Sequence, residues 1–232
     1  AVAEALSQFS KELEGTAPED MEHAVHELIK RAIKKHKKVI FNGNGYTEEW
    51  VEEAKKRGLY NLESTPDCLP QFIADKNVEL FTKHHIFTKE EIFSRYEILL
   101  ENYVKTIGIE AKTMKEMLTK DFLPAVSSYA ATVSDNALAM KALAPSVPTA
   151  SAESLVASLG DAYEKISSTL TTLDEEIQEI DKKGSMQESA DYCHKTVLAT
   201  MDELRAVADK AEAKIPDEEL PYPTYDALLF SV

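Results

Sequence analysis

The residues best suited to bind a ligand form a short polar loop, Asn42, Gly43, Asn44 and Gly45. Residues 39–41 predict a short strand before this loop, and Thr47 predicts the N-cap of a helix after Tyr46. A loop between a strand and a helix can bind phosphate through backbone N–H groups. However, the glycine spacing matches neither G-x-x-x-x-G-K-S/T nor G-x-G-x-x-G. Two interpretations stay open, a structural turn and a phosphate or ligand site, and we favour the turn.

Metal-binding and catalytic chemistry have weaker signals. His23 and His26 lie three residues apart on a predicted helix, a spacing compatible with a shared metal ion, but no Cys/His set has zinc spacing. We therefore predict no metal site and a polar helix surface there. Cys68 and Cys193 lack an adjacent base that would activate a thiol. No catalytic residue is predicted.

One carboxylate stands in an unusual setting. Glu110 lies in the apolar stretch Ile-Gly-Ile-Glu-Ala, inside a helical stripe of apolar and aromatic residues. If it were buried, it would need a partner such as Arg95 or a lysine. A buried ion pair is therefore one interpretation of Glu110, without a catalytic role.

Composition and charge restrict the class of protein and its partners. The chain has 232 residues, 44% of them hydrophobic, and a net charge of -15, which is typical of a globular protein. Acidic residues are concentrated in residues 151–232, so we expect neither nucleic acid nor an anionic membrane as a partner. No apolar run reaches the roughly 18 residues that span a bilayer. With two cysteines and no secretory signal in the first residues, we predict a reduced, cytoplasmic protein.

Hydrophobic periodicity predicts a mainly α fold, a bundle of long helices. The clearest part is an antiparallel, coiled-coil-like hairpin at about 152–182 and 186–214, where apolar residues alternate steps of three and four. A third helix at about 110–143 is its expected partner, with a kink or break at Pro124. Thr88 with Glu91, and Ser185 with Glu188, have the spacing of capping boxes.

The same patterns predict two domains. Residues 1–87 are expected to form an N-terminal helical segment that contains the loop from Asn42 to Tyr46. Residues 88–232 are expected to form the long-helix bundle and a docking tail with the sequence PDEELPYPTYDALLF.

Four segments resemble one known family. They are VIFNGNGYTEEWVEEAKKRGL (39–59), SRYEILLENYVKTIGIEAKTM (94–114), FLPAV (122–126) and PYPTYDALLF (221–230). In this order and spacing they resemble the C-terminal region of type III glutamine synthetases, the large bacterial form of that enzyme. VAEAL (2–6) is similar to the segment just beyond the catalytic domain of the family.

The resemblance implies that the chain is a fragment. The family ligates ammonia to glutamate using ATP and divalent Mg or Mn ions, with catalytic residues in a domain upstream of Ala1. None of those motifs occurs here, so no catalytic or cofactor-binding residue is transferred and the fragment alone is expected to be inactive. Its implied partners are that upstream domain and further copies in a homo-oligomer. The loop at Asn42 matches the family but acquires no role from it.

Two other functions remain open. The chain could be a stand-alone helical adaptor that shares these segments. It could also hold a regulatory site, in which case glutamine, glutamate or a nucleotide would raise its melting temperature.

Overall fold

The computed structural model describes residues 1–230, and the contacts within the chain divide it into two units, Ala1–Ile98 and Leu99–Val232. The fold is mainly α, as predicted, with no strand among the described residues. The N-terminal unit contains helices α1 (Val2–Leu13), α2 (Met21–His36), α3 (Glu48–Lys56), α4 (Thr65–Phe72) and α5 (Asp75–Lys83). Helix α6 (Lys89–Met117) begins in the N-terminal unit and ends in the C-terminal one.

The C-terminal unit is built from long helices. It contains α7 (Leu123–Leu143), α8 (Ala150–Glu179), α9 (Met186–Tyr192), α10 (Leu198–Glu212) and the short α11 (Tyr225–Phe230). Helix α8 packs on both α7 and α10, which confirms the predicted helix bundle.

Helices α8 and α10 run antiparallel, as three pairs of contacting residues show. Near the turn, Ser189 Oγ donates to the Ile180 carbonyl at 3.0 Å. Further from the turn, Thr200 Oγ1 donates to Glu176 Oε1 at 2.9 Å, and Lys165 pairs with Glu203 at 2.5 Å. The buried side chains between the helices come mostly from the predicted apolar positions: Leu159, Ile166, Leu170, Leu173, Val197, Met201, Leu204, Ala208 and Ala211. The coiled-coil geometry of this hairpin stays a prediction.

Two π-helical turns interrupt the long helices. The first, Leu118–Phe122, joins α6 to α7 and places Pro124 in the first turn of α7. Proline has no N–H to donate to the preceding turn, and its ring crowds that turn. The π-helical turn is wider than an α-helical one and leaves room for the ring, so the interruption predicted at Pro124 takes the form of this turn. The second, Cys193–Val197, joins α9 to α10 and buries the side chains at both of its ends.

Local capping chemistry fixes several helix ends. Thr88 Oγ1 accepts from the Glu91 N–H at 3.2 Å, and the Glu91 carboxylate accepts from the Thr88 N–H at 2.8 Å, so this capping box is confirmed. Ser185 also caps its helix, but the Glu188 carboxylate accepts from the Gly184 N–H at 2.9 Å. Only half of that predicted box is therefore confirmed.

The strand predicted at residues 39–41 is wrong. Lys37–Val39 is a 3-10 turn that continues from the end of α2, and Ile40 after it is extended but belongs to no strand. An extended residue forms a strand only when a second extended segment supplies its hydrogen-bond partners, and no strand occurs within residues 1–230. The Ile40 carbonyl instead accepts from Arg57 Nη1 at 2.7 Å.

None of the helices described, from Val2 to Phe230, combines the length and apolar character that crossing a bilayer would require.

Candidate functional site

The loop at Asn42 rests on a small cluster of side chains. The rings of Phe41 and Trp50 stack with their centroids 4.3 Å apart, and the Arg57 guanidinium lies 5.8 Å from the Trp50 ring centroid. Arg57 also donates to the Ile40 carbonyl and pairs with Glu53 at 2.6 Å. Arg57 therefore connects the segment before the loop, at Ile40, to helix α3 after the loop.

Gly43 is required by the same cluster. A Cβ atom at this position would lie 2.4 Å from Cζ of the Phe41 ring, which is far inside contact distance. Because that ring is stacked on Trp50, any side chain at Gly43 would displace the stack. This glycine has a packing reason that is independent of any ligand.

The polar groups of the loop bond mostly to one another. Asn44 Oδ1 accepts from the Tyr46 N–H at 3.0 Å, and the Asn44 carbonyl accepts from the Thr47 hydroxyl at 3.0 Å. Thr47 therefore occupies the N-cap position of α3 without capping it through its side chain. Glu48 and Glu49 follow in the first turn, where their charges oppose an incoming anion. Asn42, Gly43, Asn44 and Gly45 are exposed and remain a candidate loop, but these contacts account for it as a turn.

The other residues considered for chemistry lie apart. His23 and His26 are exposed on α2, and no three His, Cys, Asp or Glu side chains among residues 1–230 are grouped to hold a metal ion. The buried ion pair considered for Glu110 is wrong, because Glu110 is exposed. Its suggested partner Arg95 lies over the Phe87 ring, 4.6 Å from the centroid. Ile107 and Ala111 occupy the buried positions of this part of α6, whereas Ile109 and Glu110 face outward.

Cys193 is buried in the second π-helical turn, and burial raises the pKa of its thiol to about 11. A thiol with this pKa stays protonated at neutral pH, so Cys193 is a packing residue. Cys68 is exposed.

A charged cluster that the sequence did not predict joins α1 to α5. The Glu4 carboxylate accepts from Lys83 Nζ at 2.6 Å and lies 2.7 Å from His84 Nε2. Hydrogen bonds from Lys83, Gln8 and His84 lower the pKa of Glu4 to about 2. The cluster therefore holds an ionised carboxylate of α1 against the C-terminal end of α5.

Helix α1 leaves part of its apolar face uncovered, since Val2 and Leu6 are exposed while Phe9 and Leu13 are half-buried. None of its residues is buried, and Val2 and Leu6 are 75% and 61% exposed. These two residues are four apart, so they lie on one face of the helix. An exposed apolar face of this kind marks a surface for packing against another protein segment.

A groove of about 1150 Å³ opens in the C-terminal unit. It lies between the end of α6, the end of α10 and the segment that follows α10. Its apolar lining includes Met114, Met117, Met201, Ile215 and Leu220.

Comparison with known proteins gives consistent matches along the chain. The sequence model of the family described as "Glutamine synthetase C-terminal domain" matches residues 24–141. A "Glutamine synthetase" of Butyrivibrio fibrisolvens is 44% identical over 227 residues, which are 98% of this chain and 32% of that protein. A "Type-3 glutamine synthetase" of Dictyostelium discoideum is 30% identical over 214 residues, 89% of this chain and 29% of that protein. A "Glutamine synthetase" of Bacteroides fragilis (strain YCH46) is 26% identical over 237 residues and is covered to 32%. The chain thus spans about a third of the length of these curated relatives.

Proposed function

Because this chain belongs to the glutamine synthetase C-terminal domain family, we propose that it is the non-catalytic helical domain of a longer, cytoplasmic glutamine synthetase. In this proposal the rest of the polypeptide ligates ammonia to glutamate and holds ATP and the Mg or Mn ions. Residues 1–230 offer no grouped metal ligands. The role of this domain is then to support packing and assembly of the enzyme.

The uncovered face of α1 is the observation that carries this proposal. A helix of 12 residues with no buried side chain gains little stability from its own unit. Burying Val2 and Leu6 against a further segment would contribute about 1.5–3 kcal/mol for each side chain. The relatives supply such a segment, since they are about three times as long as this chain. Helix α1 is therefore the proposed docking element for the catalytic part.

The test uses the full-length polypeptide. Replacing Val2 and Leu6 together by glutamine is expected to lower the melting temperature and the fraction of assembled enzyme, because it removes the apolar contact. Lys11→Gln introduces the same side chain at an exposed position of α1 and is the matched control. Assembly is measured by size-exclusion chromatography with light scattering, and activity by ATP-dependent glutamine formation.

Two results would contradict the proposal. One is ammonia-ligating activity in the isolated 232-residue chain. The other is a Val2→Gln/Leu6→Gln enzyme that assembles and melts like the Lys11→Gln control.

A further inference from the structure

We propose that the basic end of helix α2 in one copy of the chain docks into the methionine-lined groove of a second copy. The proposal deepens the assembly role given above and rests on it, and it names the partner as this same chain. It follows from two surfaces of opposite character that the described residues leave exposed.

The groove has a lining that suits an apolar helix face. Met114 and Met117 from α6 and Met201 from α10 lie along it, together with Ala208 and Ile215. Methionine is unbranched and polarizable, so methionine-rich grooves adapt their shape to the side chains that enter them. Amphipathic helices bind in such grooves through residues spaced three and four apart.

The rim of the groove is acidic. The described lining residues include four carboxylates, Glu110, Asp209, Glu212 and Asp217, and one cation, Arg205. Arg205 is itself engaged by Asp209, with Nε 3.5 Å from Oδ2. The groove therefore presents excess negative charge around an apolar floor.

The negative charge around the groove also affects the pKa of Tyr222, which lines the groove. Burial raises the pKa of its hydroxyl, and the carboxylates of Glu212, Asp121 and Asp209 raise it further. A segment that carries positive charges and has apolar side chains on one face would neutralise these carboxylates and fill the apolar floor of the groove.

The C-terminal half of α2 has that composition. Ile29 and Ile33 are 46% and 53% exposed and lie four residues apart on one face. Leu28 and Ala32 line a cavity that α1 also lines, so the isoleucine side is turned away from the interior of the unit. Residues 30–38 contain six cations and no acidic residue: Lys30, Arg31, Lys34, Lys35, Lys37 and Lys38. All six are exposed, and two of them pair with carboxylates of the same unit, Lys30 with Glu27 and Arg31 with Glu12.

The two surfaces are complementary in charge, and both occur in the same chain. Residues 29–38 span about 15 Å at helical rise, which is about three turns and suits a groove formed by two helices. Because the chain carries both surfaces, two copies related by a two-fold axis make the contact twice, and a head-to-tail arrangement repeats it around a ring. The proposed occupant of the groove is therefore helix α2 of a second copy of this chain.

The experiment is a charge-swap measured by sedimentation velocity on the 232-residue chain. One variant reverses the helix (Lys34→Glu, Lys37→Glu and Lys38→Glu), and the other reverses the groove (Asp209→Lys and Glu212→Lys). The wild type is expected to self-associate with rising concentration and to dissociate at about 0.5 M salt, where surface charges are screened. Each variant alone is expected to lose at least tenfold in association constant. An equimolar mixture of the two variants is expected to associate again, since each then offers the complement of the other.

Control variants carry charge reversals of the same sign at other exposed positions. Lys55→Glu with Lys56→Glu, and Asp161→Lys with Glu164→Lys, alter exposed residues of α3 and α8 and are expected to leave association unchanged. Circular dichroism verifies that each variant is folded. A wild type that stays monomeric at about 100 µM in low salt would overturn the proposal, as would a mixture that fails to associate. Either failure leaves the proposed function intact, because that function is tested on α1 in the full-length polypeptide.

Discussion

Replacing Leu173 by alanine tests whether the hairpin of α8 and α10 forms the core of the C-terminal unit. Leu173 is fully buried, with 0% of its surface exposed. Leucine-to-alanine changes at such positions cost about 3 kcal/mol, because the removed methyl and methylene groups lose their burial and leave a cavity. Leu138 on α7 is the matched control, since it is 67% exposed. Its replacement by alanine is expected to cost less than about 1 kcal/mol, in proportion to the area it buries.

The assay is urea unfolding followed by circular dichroism at the helical band. With a slope of about 2 kcal/mol per molar urea, a loss of 3 kcal/mol lowers the midpoint by about 1.5 M. The Leu138→Ala midpoint is expected within about 0.5 M of the wild type. Equal midpoints for the two variants would refute the assignment of Leu173 to the core. If the two units unfold separately, the shift is expected in the transition that belongs to the C-terminal unit.

Three further predictions concern single side chains. Glu4 has a lowered pKa of about 2, so its ion pairs stabilise the fold above pH 4.5 and this contribution is lost as pH falls towards 2; the protection factors of the α1 amides, which correct for the intrinsic exchange rate at each pH, should decrease over that range, and a Glu4→Gln variant should show no such decrease. Cys68 is exposed and Cys193 is buried with a pKa of about 11, so a thiol reagent should titrate one thiol in the native protein and two in denaturant; two fast thiols in the native state would contradict the burial of Cys193. Gly43→Ala places a methyl group against the aromatic stack, so the fluorescence of Trp50, the single tryptophan, should change with a loss of about 0.5–1.5 kcal/mol in stability; an unchanged spectrum would refute the packing reason for this glycine.

Local rules predicted the parts of the fold that depend on local chemistry. The capping box at Thr88 needs only two side chains three residues apart, so it is visible in sequence. Gly58 follows the end of α3 with a positive φ of 69°, a conformation that favours glycine and is typical of a helix C-terminus. The apolar periodicity of α8 likewise predicted the burial of Leu159, Ile166, Leu170 and Leu173, because a helix face repeats every three to four residues, whereas Tyr163 on the same stripe is exposed.

Features that depend on distant partners could not be predicted. The strand predicted at residues 39–41 was wrong because three apolar residues describe a strand only if another segment pairs with them. The contact between Glu4 and Lys83 joins residues 79 positions apart. A periodic pattern does not reveal that pairing, since both residues resemble ordinary charged positions of surface helices. The π-helical turn at Cys193 has no breaker residue to mark it.

In the candidate site, too, local features could be predicted from the sequence and contacts between distant residues could not. The polar loop at Asn42 was identified from its residue types, but its support by Arg57 and the Phe41–Trp50 stack required the structure. The groove in the C-terminal unit combines residues from separate helices, and no single segment shows it. The family was the most predictable feature, because four long segments in order carried the resemblance that the comparisons confirmed.

The size of the native polypeptide in its source cells tests the central claim most directly. An immunoblot with an antibody against this domain is expected to show a band about three times 25.9 kDa, because the matched 227 residues make up 32% of the Butyrivibrio relative. A single band at the mass of this chain would contradict the account and favour a stand-alone helical adaptor.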